Sequence, residues 1–550
     1  MRRQAIVWRP SQRNVARSVA RLKCYRRFGT QSQFTSTKAR PNLPFLHVPT
    51  ASPVAVRYFT STGRSWFRHE AKLVARYTIT LWGLALSVLV IAFAVTEEIS
   101  EREFPTPHDW NLITRKYLRD ANKYKDPANG AINWARALEL SRGVVIRLED
   151  PKGDGKGITK LSDLVDPTLE VPGEFINCDI SEKSEEWRSG YFEAIMLAAK
   201  AAEHVDGWVR DVTRNVVSPP EYVIGPSNPT PKPIPAGDPH APREEDCELA
   251  YPAADNWYMK ILATKGFTSR QKVEATLEYA SFMEYKQRTD EAEALYNMAL
   301  NESTGDLAPS KLPYDPKTFA LKDGAGSPSY NLLDSLTAIA NFKARSGNVS
   351  GALPIYLSIL KARRSLSNER PREDRRVKRV PLHQQVINFF APPDYPPPPP
   401  DGDVAPWRSP EERCQEASLH VYIGEILYSA KSRDDGLSWT RDGVDLAEEQ
   451  LRSMKVDDKT KVAKQLCREC LGAGLGNWST MVSRLAKAEK AKIEDPSNKP
   501  GMFSFWGSTP QSEGRWAAEE AVVEERIRRT RELLEDVRPP SIGPASWFKA

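Results

Sequence analysis

The first 69 residues of this 550-residue chain contain neither aspartate nor glutamate, although they carry fourteen lysines and arginines. Arg13, Arg17 and Arg21 recur every four residues and therefore share one face of a helix. A basic, acid-free segment rich in arginine, serine and threonine is typical of a mitochondrial transit peptide. Such a peptide is an import signal and does not form part of a folded core. The sequence predicts a presequence over residues 1–59. The candidate cleavage positions are Phe59 and Thr60.

Two alternatives to this interpretation remain open. A competing processing site lies at Arg27 and Phe28, and a basic tail of this composition also occurs in nucleic-acid-binding proteins. Without the twelve lysines and arginines that precede Thr60, 66 basic residues stand against 72 acidic ones, a net charge of −6. Because the positive charge belongs to the presequence, we expect no nucleic-acid partner for the rest of the chain.

Charge of either sign is absent between Tyr77 and Thr96. Twenty uncharged, mostly apolar residues rise about 30 Å as a helix, which is enough to cross the hydrocarbon core of a bilayer. The sequence therefore predicts a transmembrane helix over residues 77–96, preceded by a short matrix segment over residues 60–76. A buried core helix is the alternative, although the stretch has no polar face and is long for a core helix.

The residues that flank this stretch differ in charge. Four basic residues precede it, and four glutamates follow it with Arg102 as the one opposing charge. Positive flanks stay on the side of import, which here is the matrix. We expect a single-pass protein of the mitochondrial inner membrane whose N-terminus lies in the matrix and whose remaining chain lies in the intermembrane space. The basic flank is Arg64, Arg68, Lys72 and Arg76, and the acidic flank is Glu97, Glu98, Glu101 and Glu103.

Motifs for catalysis or metal binding are also lacking. The seven histidines are isolated, and neither a zinc-protease motif, a nucleophile elbow nor a phosphate-binding P-loop occurs. Six cysteines are scattered, and Cys467 and Cys470 alone have the CxxC spacing. One such pair does not make a zinc site, so we interpret it as two small residues packed on one helix face, with a redox pair as the alternative. The sequence predicts no enzyme, no metal and no cofactor.

Alternation typical of strands is scarce beyond the apolar stretch, and a helical period of 3.6 residues dominates. Two segments, Thr276–Leu300 and Leu336–Leu360, carry small and aromatic residues at matching intervals of 12, 4 and 3 residues. This spacing resembles the tetratricopeptide repeat, in which small residues let two helices pack closely. We expect an all-α fold built as a tetratricopeptide-like array of helical hairpins, with an irregular helical bundle as the alternative. The expected packing positions are Ala280, Ala292, Tyr296 and Ala299, and then Ala340, Ala352 and Tyr356, followed by Ile359.

Weaker copies of the repeat lie on both sides. Trp134 and Ala137 resemble a second helix, Trp187, Gly190, Tyr191 and Ala194 resemble a first helix, and Ile423, Gly424 and Leu427 resemble another first helix. Lys464–Lys490 predicts one more hairpin with its turn at Gly474–Asn477. The domains expected from these patterns are N-terminal helical repeats over 104–217, a proline-rich linker over 218–250, central tetratricopeptide repeats over 251–370, a basic and proline-rich linker over 371–410, C-terminal helical repeats over 411–495, and a tail with one helix over 496–550.

Prolines interrupt the helical pattern twice, at Ser218–Pro242 and at Pro392–Pro410. Both stretches favour polyproline II or loop structure because proline lacks a backbone N–H and clashes within a helix. We interpret each as a spacer or as a loop lying over the array, with a ligand for an aromatic groove as the alternative. The basic patch at Pro371–Val380 is interpreted as a solvated surface segment, with a contact to acidic lipid headgroups as the alternative.

The presequence, the single span and the repeats, together with the stretches Phe104–Asp126 and Gly424–Glu448, are similar to the tetratricopeptide-containing adaptor of the fungal mitochondrial i-AAA protease. The resemblance implies an accessory subunit that binds unfolded or misfolded membrane and intermembrane-space proteins and delivers them to the protease. The partners it implies are subunits of the i-AAA protease complex, unfolded clients and inner-membrane lipid, and it carries over no catalytic residue. Two alternatives remain, an assembly factor or tether of the inner membrane, and an enzyme that would depend on Cys467 and Cys470.

Overall fold

A computed structural model describes residues 61–127, 130–160, 178–234, 240–305, 307, 311–324, 326–369, 395–430, 432–454, 461–494 and 514–535. The predicted presequence with its cleavage positions Phe59 and Thr60, and the basic patch at 371–380, lie outside the described residues. The chain divides into two units, residues 1–89 and 90–550. The described residues are mostly helical, which confirms the predicted helical class.

Helix α1 spans Ser61–Glu103 and contains the uncharged stretch. Its apolar side chains are largely exposed, as Ile79 and Trp82 illustrate with 71% and 73% of their surface accessible. Among the described residues it is the one helix that is long and apolar enough to cross a membrane. A core helix would bury such side chains, so their exposure favours the span over the core-helix alternative.

Twelve further α-helices occupy the described residues after α1, and each contacts the next along the chain. Helices that are two apart also touch, since α4 contacts α6, α6 contacts α8, and α10 contacts α12. The helices are α2 (Leu112–Lys125), α3 (Trp134–Glu149), α4 (Glu185–His204), α5 (Ala254–Ala263), α6 (Ser269–Tyr285), α7 (Thr289–Thr304), α8 (Tyr330–Arg345), α9 (Val349–Arg364), α10 (Pro410–Ser429), α11 (Arg433–Ser453), α12 (Lys461–Glu494) and α13 (Arg515–Leu534).

Side chains with oxygen acceptors mark the starts of several of these helices. Thr268 and Gln271 form a reciprocal capping box at α6, and Ser329, Asn348 and Ser409 each accept a backbone N–H at the starts of α8, α9 and α10. These acceptors satisfy N–H groups that have no partner within the helix, and each typically stabilises its helix by about 1 kcal/mol. Local sequence therefore sets where the helices begin.

Three hairpins, α6–α7, α8–α9 and α10–α11, turn in the same way. In each turn a backbone N–H donates a hydrogen bond to the carbonyl oxygen five residues earlier. The pairs are Arg288 to Met283 at 2.9 Å, Asn348 to Lys343 at 2.8 Å, and Ser432 to Leu427 at 3.0 Å. The middle residue of the first two turns is left-handed, with φ of 63° at Gln287 and 86° at Gly347. Glycine suits this conformation, whereas glutamine adopts it against a steric preference.

The small residues singled out in the sequence lie where the helices of these hairpins meet. The five alanines have no exposed surface, and the two tyrosines are almost fully buried; they are Ala280, Ala292, Ala299, Ala340, Ala352, Tyr296 and Tyr356. The third hairpin uses glycine at the equivalent contact. A Cβ added to Gly436 would lie 2.7 Å from the carbonyl oxygen of Gly424, which is closer than atoms pack.

Helix α12 overturns one sequence expectation. It runs without a break from Lys461 to Glu494, so the predicted turn at Gly474–Asn477 is wrong. Leu475 and Trp478 are buried in the middle of this helix, within a hydrophobic cluster formed by α10 to α13. Burial of apolar side chains on both sides of Gly474 outweighs the low helix propensity of glycine and asparagine, which amounts to about 1 kcal/mol or less per residue.

Cys467 forms a disulfide with Cys414 of α10, with the two Cα atoms 4.9 Å apart. The redox pair considered for Cys467 and Cys470 is therefore wrong, because Cys467 already has a partner. Cys470 is a free, buried thiol beside it. The partner residue lies 53 positions away in the sequence, where no CxxC spacing points to it.

Five short strands depart from the all-helical expectation. A two-stranded antiparallel sheet pairs β1 (Thr159–Lys160) with β2 (Cys178–Asp179). A three-stranded antiparallel sheet has the order β4–β3–β5, formed by Val216–Ser218, Val209–Asp211 and Cys247–Leu249. The segment 218–250, expected to be a linker, thus begins and ends beside β3. Strands of two or three residues are too short to leave an alternating pattern in the sequence.

Candidate functional site

The first helices of the three hairpins line a set of neighbouring depressions, which we call the groove. It is formed by α6, α8 and α10, and depressions lie between α6 and α8 and between α8 and α10. The groove is open, so its side chains are accessible to a ligand as long as a polypeptide segment. The lining residues used below are Glu278, Ser281, Asn341, Arg345, Tyr422 and Glu425.

Arg345 lies at the centre of the groove and borders all three of its depressions. Its Nε and Nη2 atoms donate to the two carboxylate oxygens of Glu284 at 2.6 and 2.7 Å. These hydrogen bonds hold the pKa of Glu284 below its usual value. Because the guanidinium remains about half exposed, it is a positioned charge that still has donors facing the groove.

Two tyrosines of the second helices form hydrogen bonds with polar side chains of the first helices that line the groove. The Tyr296 hydroxyl donates to Glu284 at 3.1 Å, and the Tyr356 hydroxyl donates to Asn341 at 2.6 Å. Burial raises the pKa of both hydroxyls, so both stay protonated donors. Sequence spacing identified these tyrosines as packing residues, and the structure adds that each orients a polar side chain of the neighbouring first helix.

The same surface continues across α4 to α2. Lys200 of α4 pairs with Glu278 of α6 at 3.0 Å, which joins the two helices on the groove side. Two turns earlier on that face of α4, the Glu193 carboxylate accepts a hydrogen bond from Asn122 of α2 at 3.1 Å. Burial raises the pKa of Glu193, and the nearby Lys125 opposes the shift. The sequence did not single out any of these charged residues, because no spacing rule relates them.

Exposed aromatic rings lie among these charges. Tyr285, at the end of α6, has 81% of its surface accessible and borders the same depression as Arg345. Tyr422 of α10 is partly exposed, and its ring centroid lies 5.7 Å from that of Tyr356. Rings that bury apolar surface, beside donors and acceptors that bond to peptide groups, suit an extended polypeptide of varied sequence.

Metal binding and thiol catalysis have little support in the part of the chain that the structure describes. No three histidine, cysteine, aspartate or glutamate side chains there are grouped so that they could hold a metal ion. Cys470, the thiol beside the disulfide, has its pKa raised to about 11 by burial, which disfavours the reactive thiolate. The groove is therefore the candidate functional site.

Comparison of the chain with protein-family models, with curated proteins and with solved structures finds no match.

Proposed function

We propose that this protein is a non-catalytic adaptor of the mitochondrial inner membrane. In this proposal α1 anchors the chain with its N-terminus in the matrix, and the helical domain lies in the intermembrane space. The domain binds unfolded or misfolded membrane and intermembrane-space proteins and delivers them to the i-AAA protease. The charge asymmetry around residues 77–96 and the acid-free presequence support this location.

The observation that carries the proposal is the repetition of three hairpins with one turn geometry. Because the turns and the close contacts are alike, we expect the hairpins to stack in the same sense and their first helices to line one surface. In this proposal the hairpins belong to a tetratricopeptide-like array, and arrays of that kind bind extended segments of other proteins on their open surface. Positioned charges, peptide-bonding side chains and exposed tyrosines in the groove support an unfolded polypeptide as the ligand.

Ion pairs join the end of α1 to the helical domain. Glu97 follows the uncharged stretch directly and accepts from Lys116 of α2 at 2.8 Å. Glu101 pairs with Arg115 at 2.9 Å and with Arg119, whose side chain is almost fully buried. These ion pairs fix the last turns of α1 against α2.

Co-purification from detergent-solubilised mitochondria tests this function. We expect a tagged chain to retain the i-AAA protease, and we expect client half-lives to lengthen in cells that lack this chain but contain intact protease. The protease keeps its own active site, so turnover slows without stopping. Unchanged half-lives would reject the adaptor function, and recovery of a respiratory complex or a contact-site protein in place of the protease would favour the assembly-factor or tether alternative.

A matched pair of charge reversals locates the client site. Arg345→Glu repels Glu284 and replaces the central donor of the groove, whereas Arg528→Glu changes an exposed arginine of α13. We expect Arg345→Glu to weaken binding of a reduced, carboxymethylated client protein to the full chain by roughly tenfold, in line with a lost hydrogen bond to a charged group. Arg528→Glu is expected to leave that binding unchanged.

A further inference from the structure

A segment of this chain lies against α4, on the surface that continues from the groove towards α2. Residues Tyr395–Arg408, which we call the strap, precede α10 and include five consecutive prolines. Tyr395 is only 8% exposed, although it lies in a segment without helix or strand. Its hydroxyl lies beside Glu193 and Ser189, two residues one turn apart on α4.

The pocket that holds this ring is polar at its base. Glu193 accepts from Asn122 of α2 at 3.1 Å, and the Tyr395 hydroxyl is a second neutral donor beside the same carboxylate. Burial raises the pKa of Tyr395 to about 12, which keeps the hydroxyl protonated and able to donate. A phenylalanine at position 395 would remove a hydrogen-bond donor from beside the partly buried Glu193 carboxylate.

The other end of the strap is fixed at α8. The carbonyl oxygens of Gly402 and Val404 accept the first backbone N–H groups of α8, from Asn331 at 3.1 Å and from Tyr330 at 3.3 Å. The Asn331 side chain donates to the Asp401 carbonyl at 2.7 Å. Gly402 has a φ of 76°, and a Cβ there would lie 2.2 Å from Asn331, so only glycine fits this contact.

The proline run links the buried Tyr395 to the contact at α8. From Tyr395 to Asp401 a polyproline II segment rises about 19 Å, at roughly 3.1 Å per residue. Helix α6 lies between α4 and α8, and two helix-to-helix spacings amount to about 16–20 Å. Four of the five prolines are exposed, so the run acts as a stiff spacer and Tyr395 makes the buried contact.

We propose that the pocket of Asn122, Ser189 and Glu193 is a recognition site for a tyrosyl side chain on an extended client segment, and that Tyr395 occupies it within the chain until a client displaces it. This inference rests on the proposed function of the groove. It specifies that clients present a tyrosine in extended backbone, and that the strap competes with them. A tethered competitor of this length acts at an effective concentration in the millimolar range, so weak clients stay excluded.

Binding of a labelled peptide tests the site directly. The probe is a fluorescein-tagged peptide with the sequence of residues 395–402, and its partner is the full chain in detergent micelles. We expect Tyr395→Ala to bind the peptide about tenfold more tightly than the wild type, because the tethered competitor is gone. The double variant Tyr395→Ala with Glu193→Ala is expected to lose this gain, as is a peptide whose tyrosine is replaced by alanine.

Two further variants separate release of the strap from damage to the fold. Gly402→Ala detaches the strap from α8 while Tyr395 stays intact, and we expect it to raise peptide affinity as Tyr395→Ala does. Val404→Ala alters a side chain that is 81% exposed in the same segment and is expected to behave as the wild type. Equal peptide affinity in the wild type, Tyr395→Ala and Gly402→Ala would overturn the inference.

The outcome for an unfolded client distinguishes this inference from the proposed function. If a reduced, carboxymethylated client binds through Arg345 while the peptide ignores Glu193, the tyrosyl site is rejected and the adaptor function stands. If the peptide binds Tyr395→Ala through Glu193 while no variant binds the client, the adaptor function is rejected and the strap remains a purely intramolecular contact, which also rejects client recognition at this pocket.

Discussion

A disulfide joins Cys414 of α10, the first helix of the third hairpin, to Cys467 of α12, the helix that follows this hairpin. The bond therefore links a groove-forming helix to the long helix α12. Cys470, one turn from Cys467, is buried and free. The compartment proposed for this domain can oxidise thiols, so the bond has a setting in which to form.

Reduction of this disulfide should destabilise the domain. A cross-link that closes a loop of 53 residues typically contributes about 2–4 kcal/mol. We expect the melting temperature of the wild type to fall when dithiothreitol is added, and that of Cys414→Ala to be low and unaffected by the reductant. Cys470→Ala is the control and should respond to dithiothreitol as the wild type does. A melting temperature of the wild type that is independent of reductant would contradict this prediction.

Enlarging a buried alanine in a hairpin should destabilise it, whereas enlarging an exposed one should not. Ala292 has no accessible surface and faces α6, while Ala294 is exposed two residues later on the same helix. Ala292→Leu is expected to lower the free energy of unfolding by about 1–3 kcal/mol because the helices cannot separate without losing other contacts. Urea denaturation should find Ala294→Leu within about 0.5 kcal/mol of the wild type. Equal effects would mean that the hairpin does not pack as described.

The buried ion pair between Arg363 of α9 and Glu412 of α10 gives a third prediction. Arg363 is 1% exposed, and burial raises the pKa of Glu412 although Arg363 opposes the shift. Arg363→Met leaves a buried carboxylate without its cation, which is expected to cost about 3–5 kcal/mol of unfolding free energy. Replacing both residues with methionine should recover most of that loss. A double variant as unstable as the single one, measured by urea denaturation, would mean that the pair itself is strongly stabilising.

Protease protection tests the proposed orientation. The basic flank of residues 77–96 predicts that the chain beyond Glu97 faces the intermembrane space. Protease added to mitoplasts with ruptured outer membranes is expected to digest that region, whereas intact mitochondria should protect it. Deleting residues 1–59 should prevent import while leaving the helical domain folded. Protection of the domain in mitoplasts, with a matrix protein as the intact control, would place it on the matrix side.

Local sequence determined the helical class, the candidate span and the two central hairpins. Ala280, Ala292 and Tyr296 could be identified because a helix repeats every 3.6 residues, and contacts between two helices of one hairpin recur at fixed intervals. Hydroxyl and amide residues such as Thr268 and Asn348 mark helix starts, since they bond to N–H groups three residues away. Such short-range interactions can be predicted from the sequence, because both partners lie within one helical turn or one hairpin.

Only the tertiary structure decided the features whose partners lie far apart in the chain. The continuity of α12 through Gly474 depends on burial against α10 and α11, and the pairing of Cys467 depends on where α10 places Cys414. The ion pairs of the groove and the contact of Tyr395 with α4 involve residues that are tens to hundreds of positions apart in the chain. No period or motif records such contacts, because the packing of whole hairpins, and not the local backbone, brings these side chains together.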